Sequence, residues 1–137
     1  MGDVGIQASK HFGEHLLIDG YGADPKLLFD EELVRTCLIE LCDLLGVLKL
    51  TEPDVISIPN DTLKVPGGVT GVVILAESHI SIHTFPRRKF FSADVYSCKK
   101  GMNQNIVANY LKKKFACEDV DLAFMLRGSR YPENDLT

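Results

Sequence analysis

The sequence predicts an α+β fold in which an antiparallel sheet carries two helices on one face. Three observations lead there. Apolar residues recur every three or four positions after Asp30, and again after Asn103. Between these stretches, from Asp54 to Cys98, lies a succession of β-branched runs and apolar/polar alternation, the period of strands.

Residues 1–10 are small and polar and read as a fraying start. His15-Leu16-Leu17-Ile18 is apolar enough for a first strand, closed by the turn Asp19-Gly20-Tyr21-Gly22. In the next segment Leu33, Val34, Cys37, Leu38, Leu41, Leu44 and Leu45 keep helical spacing, Asp30 is placed to cap the start, and Gly46 ends the run. Cys37 and Cys42 sit on or beside that stripe, where packing explains them better than a metal or redox role. A strand follows at Asp54–Ile58, then the turn residues Pro59-Asn60-Asp61 and Pro66-Gly67-Gly68. Those glycines fit either a close backbone approach or a flexible connection. The unbroken run Gly71–Leu75 reads as a strand buried on both faces. Ile80 and Ile82 then alternate with Ser81 and His83. In the strand Phe90–Cys98, Phe91, Ala93, Val95 and Ser97 share one face and Ser92, Asp94, Tyr96 and Cys98 the other. A second helix from Asn103 to Phe115 has Ile106, Val107, Tyr110 and Leu111 inward. Leu122–Leu126 closes the sheet, and the tail from Arg127 is polar and reads as mobile.

The order is thus β, α, β, β, β, β, α, β, two halves that read as βαββ and ββαβ. Two helices on one face leave the other bare, and a bare sheet face calls for a partner. The expectation is a two-fold homodimer whose sheets pack on each other as an αββα sandwich.

At 137 residues with no linker-like stretch, the chain reads as a single domain. Its 45% hydrophobic and 25% charged residues are ordinary for a soluble protein, and a net charge of −4 argues against a nucleic-acid binder that works by neutralising phosphates. Basic residues do cluster, at Arg87, Arg88, Lys89 and at Lys112, Lys113, Lys114; the latter read as a solvated helix face. Four cysteines without a CxxC pair, no secretory signal and no long apolar run point to a reducing cytoplasm and no membrane partner. The start also lacks the Ser or Thr that N-myristoylation requires, having Ile6 there.

Chemistry concentrates in residues 76–98, AESHISIHTFPRRKFFSADVYSC. A hairpin that pairs Phe85 with Phe91 places Cys98 opposite Ser78. If the chain turns near Ser78, a hydroxyl, a thiol and the His83 imidazole are expected to converge at one end of the sheet. Each also has an ordinary structural reading: a turn serine, a buried thiol, a hydrogen-bonded histidine. His79 and His83 have the spacing of metal ligands on a helix, but the Ile80/Ile82 alternation speaks for strand and no third ligand is near, so no metal is expected. A Ser/His hydrolase would need a Gly-x-Ser-x-Gly elbow, which is missing.

The frame Gly71-Val72-Val73-Ile74-Leu75-Ala76-Glu77-Ser78-His79-Ile80-Ser81-Ile82-His83-Thr84-Phe85-Pro86, followed by Asp94-Val95-Tyr96-Ser97-Cys98, resembles the pyruvoyl-dependent S-adenosylmethionine decarboxylases of the small prokaryotic type. Gly13-Glu14-His15-Leu16-Leu17-Ile18-Asp19 and Asp24-Pro25 are similar to that family's opening, and the likeness spans 13 to about 116. The resemblance implies a chain that makes its own pyruvoyl cofactor. The Ser78 hydroxyl attacks the Glu77 carbonyl, and elimination then splits the protein into 1–77 (the β chain) and 78–137 (the α chain), the latter starting with the pyruvoyl. By the same resemblance His83 is the base of the elimination, Thr70 supplies a supporting hydroxyl, and position 78 forms the Schiff base with the substrate amine. Cys98 returns a proton to the product, Glu77 helps hold the substrate, and Phe85 offers a face to its adenine. The implied activity converts S-adenosylmethionine into the aminopropyl donor of spermidine biosynthesis.

The sequence departs from the family pattern at several points. Thr70 stands where relatives usually have Ser. Phe85-Pro86-Arg87-Arg88-Lys89-Phe90 replaces a common Trp-Pro-Glu-Tyr-Gly-Tyr, and Lys64 takes the place of an aromatic. Three cations beside a sulfonium site are unfavourable unless they face solvent or bind a carboxylate. These changes keep open a pyruvoyl-dependent arginine or ornithine decarboxylase, and a regulatory relative that never processes itself remains a third alternative.

Overall fold

The computed structural model describes residues 11–59 and 67–134. The expectations for residues 1–10, Asn60, Asp61, Lys64 and Pro66 lie outside the described residues. The strands are β1 (Gly13–Tyr21), β2 (Asp54–Ile58), β3 (Gly68–Leu75), β4 (Ser78–Phe85), β5 (Phe90–Ser97) and β6 (Asp119–Arg127); the helices are α1 (Pro25–Leu28), α2 (Glu31–Leu45) and α3 (Gln104–Lys114). One antiparallel sheet runs in the order β2-β3-β4-β5-β1-β6. Apart from the short α1, this is the predicted order.

The helices form where their ends are satisfied. Asp30 accepts from Leu33 N at 3.0 Å at the start of α2, and Gly46 ends it in the left-handed conformation with φ 67°. Asn103 caps α3 in the same way through Ile106 N at 3.1 Å. The buried side of α2 is Val34, Cys37, Leu38, Leu41 and Cys42, as its spacing predicts. On α3 the buried residues are Val107, Ala108 and Leu111, whereas Ile106 is 44% exposed; the stripe is rotated from the expected one. Helix α2 lies close on the sheet because Gly71 has no side chain: a Cβ there would stand 2.9 Å from Leu38 and 3.0 Å from Val34. Beneath the helices Phe91 and Phe115 pack at 5.2 Å between ring centroids, both fully buried. Each contributes about 1.5–3 kcal/mol by burial.

The central strands alternate between this core and the opposite face. Burial changes with every residue along β5 and from His79 onward along β4, and Phe91, Ala93, Val95 and Ser97 face the helices as predicted. Residues 71–75 alternate too, with Ile74 48% exposed, so β3 is not buried on both faces within one chain. The reason is that both helices lie on the same side. Of the two glycines considered at 67 and 68, Gly68 makes the close approach: at φ 143°, its Cβ would collide with the Thr84 carbonyl oxygen at 2.0 Å. Thr84 then ties three elements together, accepting from Val69 N at 2.8 Å and donating to Leu28 O at 2.7 Å.

The hairpin register is also corrected. The β4–β5 hairpin pairs Phe85 with Phe90, one residue away from the expected frame, because Pro86–Arg88 form a 3₁₀ turn and Lys89 takes a left-handed φ of 52°. The described residues just after Arg127 make contacts of their own. Phe12 N donates to Arg127 O at 2.9 Å, Tyr131 N donates to Gly128 O at 3.0 Å, and the Tyr131 ring stacks on Phe12.

Candidate active site

Strands β3 and β4 are joined by the two residues Ala76 and Glu77, with Leu75 paired to Ser78. Glu77 adopts φ 64°, a left-handed conformation costly for a residue with a side chain, on the order of 1–3 kcal/mol. Ser78 comes directly after it and begins β4. Its Oγ accepts the backbone N–H of Cys98 at 3.0 Å, and the Cys98 thiol points at Ala76 O at 3.9 Å. The one-residue change of register therefore sets Cys98 diagonal to Ser78 and still leaves the two in contact. Both residues line one recess of about 180 Å³ with Leu48, Ala76, Ser97 and Lys99.

The exit of β5 beyond Cys98 is held from two sides. Lys99 Nζ donates to Leu45 O at 3.2 Å at the end of α2. Glu14, buried, accepts from Gly101 N at 3.0 Å, Met102 N at 2.8 Å and His11 Nε2 at 3.1 Å. Burial opposes the Glu14 charge, but these donors outweigh it and hold the carboxyl below its usual range. Outside the turn, Glu77 and Cys98 open onto a wider cleft of about 590 Å³ that is also lined by His11, Phe12, Lys100, Tyr131 and Glu133. Its size falls within the roughly 300–1,000 Å³ of small-molecule sites. Sequence reasoning missed these residues; Phe12 just ahead of Gly13 and Tyr131 just after Gly128 were the available signal.

His83 and Thr70 do meet. They are register partners on β4 and β3, and the Thr70 hydroxyl lies 3.1 Å from His83 Nδ1. They do not meet Ser78 of the same chain. Five positions of one strand separate His83 from Ser78, about 16 Å at strand spacing, and an odd interval puts them on opposite faces. Convergence of hydroxyl, thiol and imidazole within one chain is therefore corrected. Phe85 lies still further along β4, in a ladder with Phe90 at 5.5 Å, and Phe90 in turn with Tyr21 at 5.4 Å. Arg87, Arg88 and Lys89 are exposed in the adjoining turn.

The bare face carries a second polar group. Asp94 Oδ2 accepts from His15 Nε2 at 2.6 Å and His79 Nε2 at 2.9 Å, and its other oxygen accepts from the Ser81 hydroxyl. Three potential ligand atoms lie together here, on His15, His79 and Asp94, rather than on the pair His79 and His83 weighed from spacing. Arg127 Nη1 is 2.9 Å from His15 Nδ1. A guanidinium only donates, so Nδ1 accepts and Nε2 carries the proton given to Asp94. That arrangement is a hydrogen-bonded hub. Desolvation of Asp94 is outweighed by Ser81, His15 and His79, and its pKa is lowered.

The family described as S-adenosylmethionine decarboxylase matches residues 14–128. Named relatives share this length. An S-adenosylmethionine decarboxylase proenzyme of Thermodesulfovibrio yellowstonii is 34% identical over 116 residues, 85% of this chain and 81% of the relative. A proenzyme of the same name from Pyrobaculum islandicum is 33% identical, covering 94% of this chain and 98% of the relative. The crystal structure of the adenosylmethionine decarboxylase from Aquifex aeolicus superposes with a TM-score of 0.75 at 28% identity, covering 93% of this chain and 99% of that one. No helix among the described residues is long and apolar enough to cross a membrane.

Proposed function

The chain belongs to the S-adenosylmethionine decarboxylase family, and on that footing we propose that it is a self-processing, pyruvoyl-dependent enzyme that decarboxylates S-adenosylmethionine to the aminopropyl donor used in spermidine biosynthesis. The observation that carries this reading is the Glu77–Ser78 bond itself. It joins a residue in a strained left-handed conformation to a serine whose oxygen is held by the Cys98 amide.

Ser78 Oγ attacks the Glu77 carbonyl carbon, the Ser78 nitrogen leaves it, and an ester replaces the amide. Release of the left-handed turn favours this direction. A base then removes the Ser78 α-proton, and the ester C–O bond breaks to free Glu77 as the carboxyl end of chain 1–77. The unsaturated residue left at 78 is hydrolysed with loss of ammonia, giving a pyruvoyl group at the start of chain 78–137. Bound there, the pyruvoyl supplies a carbonyl that holds the substrate amine and takes up the electrons released with carbon dioxide. The Cys98 thiol, in the same recess as position 78, delivers the proton that completes the product. Glu77 stays at the mouth of the cleft, where a carboxylate favours the sulfonium cation.

His83, supported by Thr70, is the base, and it acts from a partner subunit. The bare face supports this reading: it exposes Leu17, Tyr21, Ile56, Ile74 and Met125, each at least 41% accessible in the isolated chain. A two-fold axis lying in such an interface and across the strands sets the His83 end of one β4 over the Ser78 end of the other. The sheets then form the αββα sandwich, and the partner's Phe85 approaches the substrate's adenine from the second chain. Exposure of Arg87, Arg88 and Lys89 to solvent answers the objection that three cations repel a sulfonium.

Intact-mass spectrometry of purified protein, followed by incubation with carboxyl-labelled S-adenosylmethionine, tests the whole reading. Two chains divided at 77/78 and release of label are expected. A single uncut chain, or release of carbon dioxide from arginine or ornithine alone, rejects it.

A further inference from the structure

One edge of the sheet is long and open among the described residues. Strand β6 ends the strand order with β1 as its neighbour on one side, and after Arg127 the chain turns back toward the β1 side, where Tyr131 stacks on Phe12. The nine residues of β6, DVDLAFMLR, include no Pro, Gly or Lys, and the charges stand at the ends: Asp119 and Asp121 at the start, Arg127 at the finish. Leu122 and Leu126 belong to the helix side, as register partners of Ile18 in the core and of buried Glu14, yet they stay 40% and 43% exposed. A long apolar edge is a template for another strand, and natural proteins block such edges with charges, Pro, bulges or brevity. Strand β2, at the opposite edge, is only five residues long.

We propose that β6 pairs antiparallel with β6 of a second copy of this chain. The strand is complementary to itself in that arrangement. Centred on Ala123, all nine residues find a partner: Asp119 stands opposite Arg127, and on the helix side Val120 is opposite Leu126 and Leu122 opposite Phe124. A parallel arrangement would set acid against acid. The contact is isologous, so it closes after adding one copy. It is compatible with the face-to-face pairing proposed above, since rotation about an axis in that interface and across the strands reverses strand direction and leaves both β6 edges on the same side of the sandwich. Two sandwiches then join through two β6 pairs at once, giving four copies related by three perpendicular two-fold axes. The count of four rests on the face-to-face reading, whereas the edge pairing stands apart from it.

Sedimentation of the purified protein is compared with that of Leu122→Lys/Leu126→Lys, once circular dichroism has shown that the variant is folded like the parent. Four copies are expected for the parent and two for the variant, because lysines on an edge strand block its pairing. A second measurement reads the register without relying on that variant. Val120→Cys/Leu126→Cys sets two thiols opposite each other across the proposed pair, about 4.5–5.5 Å apart at Cα, a span that a disulfide bridges. Six positions apart on one strand, the same thiols cannot join within a chain. Mild oxidation should therefore link two copies of the β6-bearing chain on a non-reducing gel, while the parent stays unlinked. A parent of two copies that the lysine variant splits into one keeps the edge pairing and discards the face-to-face contact. A lysine variant as large as the parent, or introduced thiols that stay unlinked, overturns the proposal.

Discussion

The backbone N–H of Cys98 donates to the Ser78 hydroxyl at 3.0 Å, so the residue proposed to protonate the product also holds, through a different atom, the hydroxyl proposed as nucleophile of the cut. Side-chain and main-chain roles of Cys98 are therefore separable. Cys98→Ala removes the thiol and keeps the amide. Cleavage at 77/78 should proceed near the parent rate, while decarboxylation falls by about 10²–10⁴, the range for losing a general acid. Ser78→Ala should instead leave one uncut mass. If Cys98→Ala slows cleavage as much as turnover, the thiol has been given the wrong role.

The Thr70–His83 pair allows a test of where the base comes from. Alone, His83→Ala should stop after the first step and accumulate an ester at 77/78 that hydroxylamine cuts. Thr70→Val, which removes the hydroxyl at nearly constant shape, should slow cleavage, and Thr70→Ser should restore it. Co-expression of Ser78→Ala with His83→Ala is decisive. In a mixed dimer the His83→Ala chain keeps Ser78 and faces an intact His83 on its partner, so that chain should be cut. A base acting within its own chain predicts no cut product, because neither chain has both residues.

The same pair shows what could be read before the structure. Helix α2 was legible because its period is bounded by Asp30 and Gly46, and the faces of β5 because alternation leaves only one assignment. The opposite faces of Ser78 and His83 were also implicit, since an odd interval on one strand separates them. The hairpin register was not legible: it turns on Lys89 adopting a left-handed φ, which a lysine does not announce. Helix α1 is only four residues long, too short for any period, although Asp24 accepting from Lys26 N at 2.9 Å and Pro25 in the first turn mark its start. Residues after Arg127 are polar in composition, which gives no sign that Tyr131 stacks on the distant Phe12.

Thiol chemistry should single out one cysteine. Burial pushes the Cys37 thiol up to about 11, and burial likewise raises Cys42 and Cys117. All three are buried in the core, whereas Cys98 is partly accessible in the cleft. Brief treatment of folded protein with iodoacetamide near pH 8 is expected to modify Cys98 first, as read by peptide mass mapping, and prior modification should block turnover. Substantial labelling of Cys37 at the same time would mean that α2 opens readily from the sheet.

Acid should weaken the fold through two carboxylates, and their shifts set the sign. Asp94 and Glu14 both have folded pKa values below their ordinary ones: desolvation is outweighed by Ser81, His15 and His79 around the first, and by Gly101, Met102 and His11 around the second. Their contribution to stability is complete above the unfolded carboxyl range, about 4, and disappears as pH falls through the lower folded values. The melting temperature should therefore decline steadily from about pH 4 downward, and Asp94→Asn should flatten that decline because the titrating group is gone. At neutral pH the same substitution should cost about 1–3 kcal/mol, since His15, His79 and Ser81 lose a charged acceptor. Because the hub lies on the bare face beside the proposed interface, Asp94→Asn should also weaken dimerisation in sedimentation measurements. A variant with an unchanged acid profile would show that Asp94 has the same affinity for protons in the folded and unfolded chain, contrary to its three donors.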